Sequence, residues 1–140
     1  MKATIGFACL ALTACQSAET SPTDNPDGTF DAIGADETVY VTGTEPFWNG
    51  EIGAGQAVYR TLEAQEPVPF AVKRFAGNNG LGITGQIDGQ AFDLTVTPGA
   101  CSDGMSDRSY PYTATLRLGD DARFGCAWTD REPFGGPSEP

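Results

Sequence analysis

From residue 39 onward, apolar side chains recur at every second position, in runs too short for a helical repeat. Val39 and Val41 alternate with Tyr40 and Thr42; Phe92, Leu94 and Val96 alternate with Asp93, Thr95 and Thr97. Tyr112, Ala114, Leu116 and Leu118 alternate with Thr113, Thr115 and Arg117. A period of two sends successive side chains to opposite faces of a pleated strand, so each run predicts a half-buried strand. Further runs at Trp48–Ile52, Gln56–Leu62, Val68–Phe75, Leu81–Ile87 and Arg123–Trp128 complete a set of about eight. In the last of these, Phe124, Cys126 and Trp128 share a face. The separators are turn residues: Gly53-Ala54-Gly55, Ala76-Gly77-Asn78-Asn79-Gly80 and Gly119-Asp120-Asp121. Asp88-Gly89 is a hairpin dipeptide that tolerates positive φ at both central positions. Pro67 and Pro69 place the start of the Val68–Phe75 strand at a sheet edge, because proline has no N–H for a central ladder. The expected fold is all-β: an antiparallel meander closed as a small barrel or folded as a sandwich.

The ends read differently. Met1-Lys2 is a minimal basic region, Ala3–Leu12 an apolar run, and Leu12-Thr13-Ala14-Cys15 places small residues before a cysteine. That is the pattern of a bacterial lipoprotein signal: residues 1–14 removed, Cys15 acylated. The apolar run falls short of the about 20 residues needed to span a bilayer. Residues 15–36 then read as the lipidated cysteine and a disordered tether, since Phe30 and Ile33 are their only large apolar residues. Residues 37–130 form the expected β-domain, and 131–140 a frayed tail. The protein is thus expected in the bacterial cell envelope, facing the periplasm from the inner or outer membrane.

Charge and composition narrow the functional classes. The net charge is −11, and without Lys2 the balance is 7 basic against 19 acidic residues. That argues against nucleic acid, whose phosphates demand Lys and Arg, and against docking on anionic lipid through a basic face. A basic protein is the partner such a surface would attract. The chain contains no histidine, which removes Ser/His/Asp and Cys/His catalysis and every His-ligated metal site. With Cys9 in the signal and Cys15 acylated, Cys101 and Cys126 remain as an even pair, read as a disulfide in an oxidising compartment. Two buried free thiols are the alternative.

Two stretches concentrate candidate chemistry. In Glu45-Pro46-Phe47-Trp48, Phe47 and Trp48 must point to opposite faces if extended, so one enters the core and the other is free to anchor a partner. Both being packing residues, with Glu45 bonding the turn backbone, is the plainer reading. Ser102-Asp103-Gly104-Met105-Ser106-Asp107 clusters hydroxyls and carboxylates. Its oxygens suit calcium, but the alternating Asp/Asn pattern and terminal Glu of an EF-hand are missing, so no metal is assigned. An Asx-turn in which Ser102 or Asp103 caps free amides is the simpler expectation. Glu45 with Asp103 or Asp107 would be a conceivable acid/base pair for glycan hydrolysis, a remote alternative. Ser106 has no histidine base and lies outside a Gly-x-Ser-x-Gly elbow.

Thr42-Gly43-Thr44-Glu45-Pro46-Phe47-Trp48 with Ile52, and Cys101–Asp107 with Tyr110-Pro111-Tyr112 and Gly125-Cys126-Ala127, resemble the two signatures of a group of small bacterial envelope lipoproteins. The resemblance covers roughly residues 38 to 128. In some members of that group such a domain stands beside modules of the heat-shock-lipoprotein and lysozyme-inhibitor types. It therefore implies envelope stress or lysozyme defence, and carries no catalytic residue across. The expected function is a non-catalytic binding or inhibitory module, with a small-ligand-binding barrel as the alternative and no cofactor in either case. The candidate binding residues are Glu45, Trp48, Asp103, Met105, Asp107 and Tyr110; a filled interior with an exposed patch of Trp48, Tyr110 and the loop acids would favour a protein partner, and an open mouth lined by apolar residues a ligand.

Overall fold

The computed structural model describes residues 28–138. Eight strands follow in chain order: β1 (Val39–Thr44), β2 (Phe47–Ile52), β3 (Gln56–Thr61), β4 (Phe70–Ala76), β5 (Leu81–Ile87), β6 (Gln90–Cys101), β7 (Tyr110–Leu118) and β8 (Asp121–Thr129). Each pairs antiparallel with the next, and β8 returns to β1, so the meander closes as a barrel rather than a sandwich. Asp88 and Gly89 both have positive φ (50° and 77°), the backbone a two-residue hairpin turn between right-twisted strands requires. The seam between β3 and β4 is short: only Gln56↔Ala71 and Ala57↔Phe70 pair, in keeping with Pro67 and Pro69 just before β4.

Alternation decides what enters the bore. Val39, Val41, Trp48, Ile52, Tyr59, Ile83, Phe92, Leu94, Val96, Tyr112 and Leu116 are buried and form one apolar cluster. Eight strands leave an interior just wide enough for side chains to fill. Here they fill it, so a packed core stands where the ligand-barrel alternative needed an open mouth. Trp48 takes the largest share, lying across its cross-strand partner Gly43, where an added Cβ would come 2.0 Å from the indole Nε1. Only glycine leaves room for that ring.

Two of the expected domain boundaries move outward. Residues 28–36 were expected to be tether, but Phe30 and Ile33 are buried in the core cluster, and the Phe30 N–H donates to the Gly77 carbonyl at 2.8 Å. Two large apolar residues suffice when they lie over the barrel mouth instead of having to build a core themselves. The tail was expected to fray from 131, yet Ser109 and Gly135 exchange backbone hydrogen bonds of 3.0 and 2.8 Å, and the Thr129 N–H donates to the Glu132 carbonyl at 3.0 Å. The expected signal segment, Cys15 and the tether up to residue 27 lie outside the described residues.

The barrel thus has two unlike ends. At the entry end lie residues 28–38, the turns before β3 and β5 and the tail, and the long loop 102–109 leaves β6 there but folds back along the outer face to Thr44 near the far end. At the far end lie the Glu45-Pro46 turn, the 62–69 loop, Asp88-Gly89 and Gly119-Asp120.

Candidate functional site

Sequence places Phe124, Cys126 and Trp128 on the outward face of β8, because Ala127 and Thr129 point into the barrel and are fully buried. Beyond Pro98 the β6–β7 register breaks, and the end of β6 folds over the outer face far enough for Cys101 to reach Cys126. The disulfide is present, with Cα atoms 5.6 Å apart. It holds loop 102–109 against β8 and β1, where the Thr44 hydroxyl donates to the Asp103 carbonyl at 3.3 Å. Between loop and sheet lies an open concavity of about 320 Å³, lined by Thr42–Glu45, Cys101–Asp103, Phe124 and Gly125. The peptide bond before Pro46, at its rim, is cis.

Asp103 organises the loop. Its carboxylate accepts from the Ser106 hydroxyl at 2.7 Å, the Ser106 and Met105 amides at 2.8 and 2.9 Å, and the Tyr110 hydroxyl at 3.1 Å. The Ser106 hydroxyl and amide, then the Met105 amide, hold its pKa well below the usual carboxylate range. An anion so thoroughly engaged is the Asx-turn cap anticipated for this loop, and it offers no proton for general acid catalysis at neutral pH. Glu45 lines the same concavity and is exposed, and Asp107 is exposed on the loop. Among the described residues no group of three or more His, Cys, Asp or Glu side chains is placed to hold a metal ion.

Two expected members of the exposed patch are not exposed. Trp48 has no accessible surface: the strand starts at Phe47, whose side chain takes the outward position and leaves Trp48 facing in. Tyr110 is 2% exposed, roofed by Trp128 and Phe134 with ring centroids 5.4 and 5.6 Å away. Burial raises the Tyr110 pKa above its ordinary value. Of the six expected residues, Glu45, Asp103, Met105 and Asp107 therefore gather around the loop and its concavity, and Trp48 and Tyr110 support them from beneath.

No family model, curated protein or solved structure matches this chain. The site's meaning therefore rests on its own geometry. Sequence reasoning passed over Phe124, which is 69% exposed on the concavity wall; it left open which of Phe47 and Trp48 stays outside, and Phe47, 40% exposed, is the one. The alternation showed that Phe124 shares a face with Cys126, but the solvent side of that face depends on β1 closing against β8. It also passed over the aromatic layer on the same face: Tyr40 stacks on Trp128 at 5.5 Å, and the Arg108 guanidinium lies 4.6 Å from the centre of Phe134.

Proposed function

We propose that the protein is a lipid-anchored envelope protein whose barrel recognises a basic protein partner rather than turning over a substrate. One contrast carries the reading: the bore is filled, whereas Phe47, Met105 and Phe124 are exposed beside the Asp103 loop. Large apolar side chains held at a surface mark a contact site more often than a catalytic one. The acidic excess of the chain supplies the attraction, which steers encounter with a basic protein and weakens with salt. Lysozyme, which is strongly basic, suits both this chemistry and the defence role implied by the sequence resemblance. Anchoring through Cys15 would hold the barrel at a membrane surface by its entry end.

The reading is tested by calorimetric titration of the acyl-free chain with a c-type lysozyme at about 0.01 M and about 1 M salt, between which the Debye length falls from about 30 to about 3 Å. Binding that weakens with salt, accompanied by loss of lysozyme activity, is expected. Absence of binding at low salt sinks the proposal. Mass spectrometry of the native protein tests the anchor separately: a diacyl or triacyl group on Cys15 is expected, and an intact Met1 contradicts export.

A further inference from the structure

Resting on that reading, we propose that the partner docks on an apolar row crossing the outer face of β3, β2, β1 and β8 at the far end of the barrel. Its occupant would be a basic globular protein presenting an apolar surface framed by Lys and Arg. The row begins at Leu62, 62% exposed just past the end of β3, which lines a shallow hollow together with Phe47. Phe47 pairs across β2 and β1 with Thr44. Thr44 and Phe124 then line one wall of the concavity beside the clipped loop. Met105, 79% exposed, ends the row on that loop, whose Asp103 carbonyl accepts the Thr44 hydroxyl. Among the described residues, four of the six exposed large hydrophobic ones thus fall in one band. A fifth, Phe75, has a structural account of its own: its ring lies across Gly82, where an added Cβ would sit 2.0 Å away.

Charge decides the occupant. Glu45, Glu63, Glu66, Asp120 and Asp121 flank the row and are all exposed. Two cations lie nearby: Arg60, in the hollow with Phe47 and Leu62, is paired with Glu51 at 3.3 Å, and Arg123 donates to the neutral Tyr59 hydroxyl and keeps its charge, so the carboxylates outnumber the cations. An apolar centre with a predominantly acidic margin matches the core and rim of a protein interface, with aromatic residues as anchors. The field over it repels acidic surfaces, including anionic membranes, and draws basic ones.

The experiment measures binding of the acyl-free full chain, at low salt, to immobilised c-type lysozyme and to polylysine, which carries positive charge without an apolar surface. Leu62→Ser/Phe124→Ser, at positions whose side chains are mostly in solvent, is expected to weaken lysozyme binding about tenfold or more and leave polylysine binding unchanged. Phe75→Ser, with circular dichroism confirming its fold, is expected to bind lysozyme like the parent chain. Glu63→Gln/Glu66→Gln/Asp120→Asn/Asp121→Asn is expected to weaken both interactions and flatten their salt dependence. If the parent chain binds lysozyme and Leu62→Ser/Phe124→Ser binds equally well, the row is wrong while recognition stands. Equal loss in Phe75→Ser also overturns the row. If the parent chain does not bind lysozyme, both proposals fall.

Discussion

The bore of the barrel and the layer folded over β8 and β1 are both rich in aromatic residues, but they are held together by different means. In the bore, Trp48, Tyr59 and Phe92 succeed one another with centroid separations of 6.2 and 6.1 Å among aliphatic neighbours. The Trp48 indole N–H has no hydrogen-bond partner there, so the residue contributes through packing alone. In the outer layer, Tyr40, Trp128, Tyr110 and Phe134 are interleaved with a carboxylate, a guanidinium and a disulfide. A closed bore excludes water from every side, so dispersion and the hydrophobic effect suffice. A single layer laid on a sheet is wetted at its margins and needs directional and covalent bonds to stay in one place. The comparison teaches where this molecule is free to change: the layer bearing the loop is fastened on from outside the bore.

If that is right, damage to the two regions should differ in reach as well as size. Trp48→Ala is expected to cost about 3–5 kcal/mol and to lower the protection of all eight strands together, because it empties the centre of the apolar cluster they share. Denaturant unfolding combined with amide exchange reads both quantities; loss confined to β1 and β2 would break the comparison. Cys101→Ser/Cys126→Ser is expected to cost about 3–4 kcal/mol, the entropy of releasing a ring of this size. Here amide exchange should rise first in residues 102–109 and in the tail, while the strands stay protected at low denaturant. Phe134→Ala ranks lower, at about 1 kcal/mol, since it is half-buried and loses edge contacts to Trp128 and Tyr110. Release of Ser109–Gly135 protection, with β1–β5 unaffected, is the expected signature.

Much of the barrel was legible because a strand's pattern is local. The alternations at Val39–Val41, Phe92–Val96 and Tyr112–Leu116 name inward residues without any knowledge of neighbours, and Asp88-Gly89 announces its turn. What failed was what depends on closure. Phe47-Trp48 had to split between inside and outside, but which residue went in was set by Gly43 across the strand. Phe30 and Ile33 look too sparse for a core, because sequence does not show that a finished barrel mouth awaits them. The tail was misread in the same way: Phe134 is a lone aromatic in REPFGGPSEP until Trp128 and Tyr110 are beside it. At the candidate site the loop chemistry of Asp103 was legible, being a matter of neighbours two and three residues away. The apolar row was not, since its members come from four separate parts of the chain.

An effect of similar size, removal of Asp103, sharpens the comparison most, because its magnitude depends on pH. Asp103 holds the clipped loop through its ionised carboxylate, and its pKa in the folded protein lies below that of the unfolded chain. Its contribution is therefore complete above the unfolded carboxylate value of about 4 and is lost as pH falls toward the folded value. Asp103→Ala is expected to cost about 1–2 kcal/mol at pH 7, by analogy with loss of an N-cap, with water around the loop keeping it near the lower figure. Below about pH 4 the stability difference between parent and variant should shrink, and it should vanish once the parent carboxylate is protonated. Trp48→Ala, whose cost is packing, should show no such convergence. Paired unfolding curves from pH 7 to about pH 2 read both differences at once. A gap for Asp103→Ala that stays constant through the acid range would mean that the loop is held by the disulfide and by contacts to Tyr110 and Phe134, with the carboxylate as a passenger.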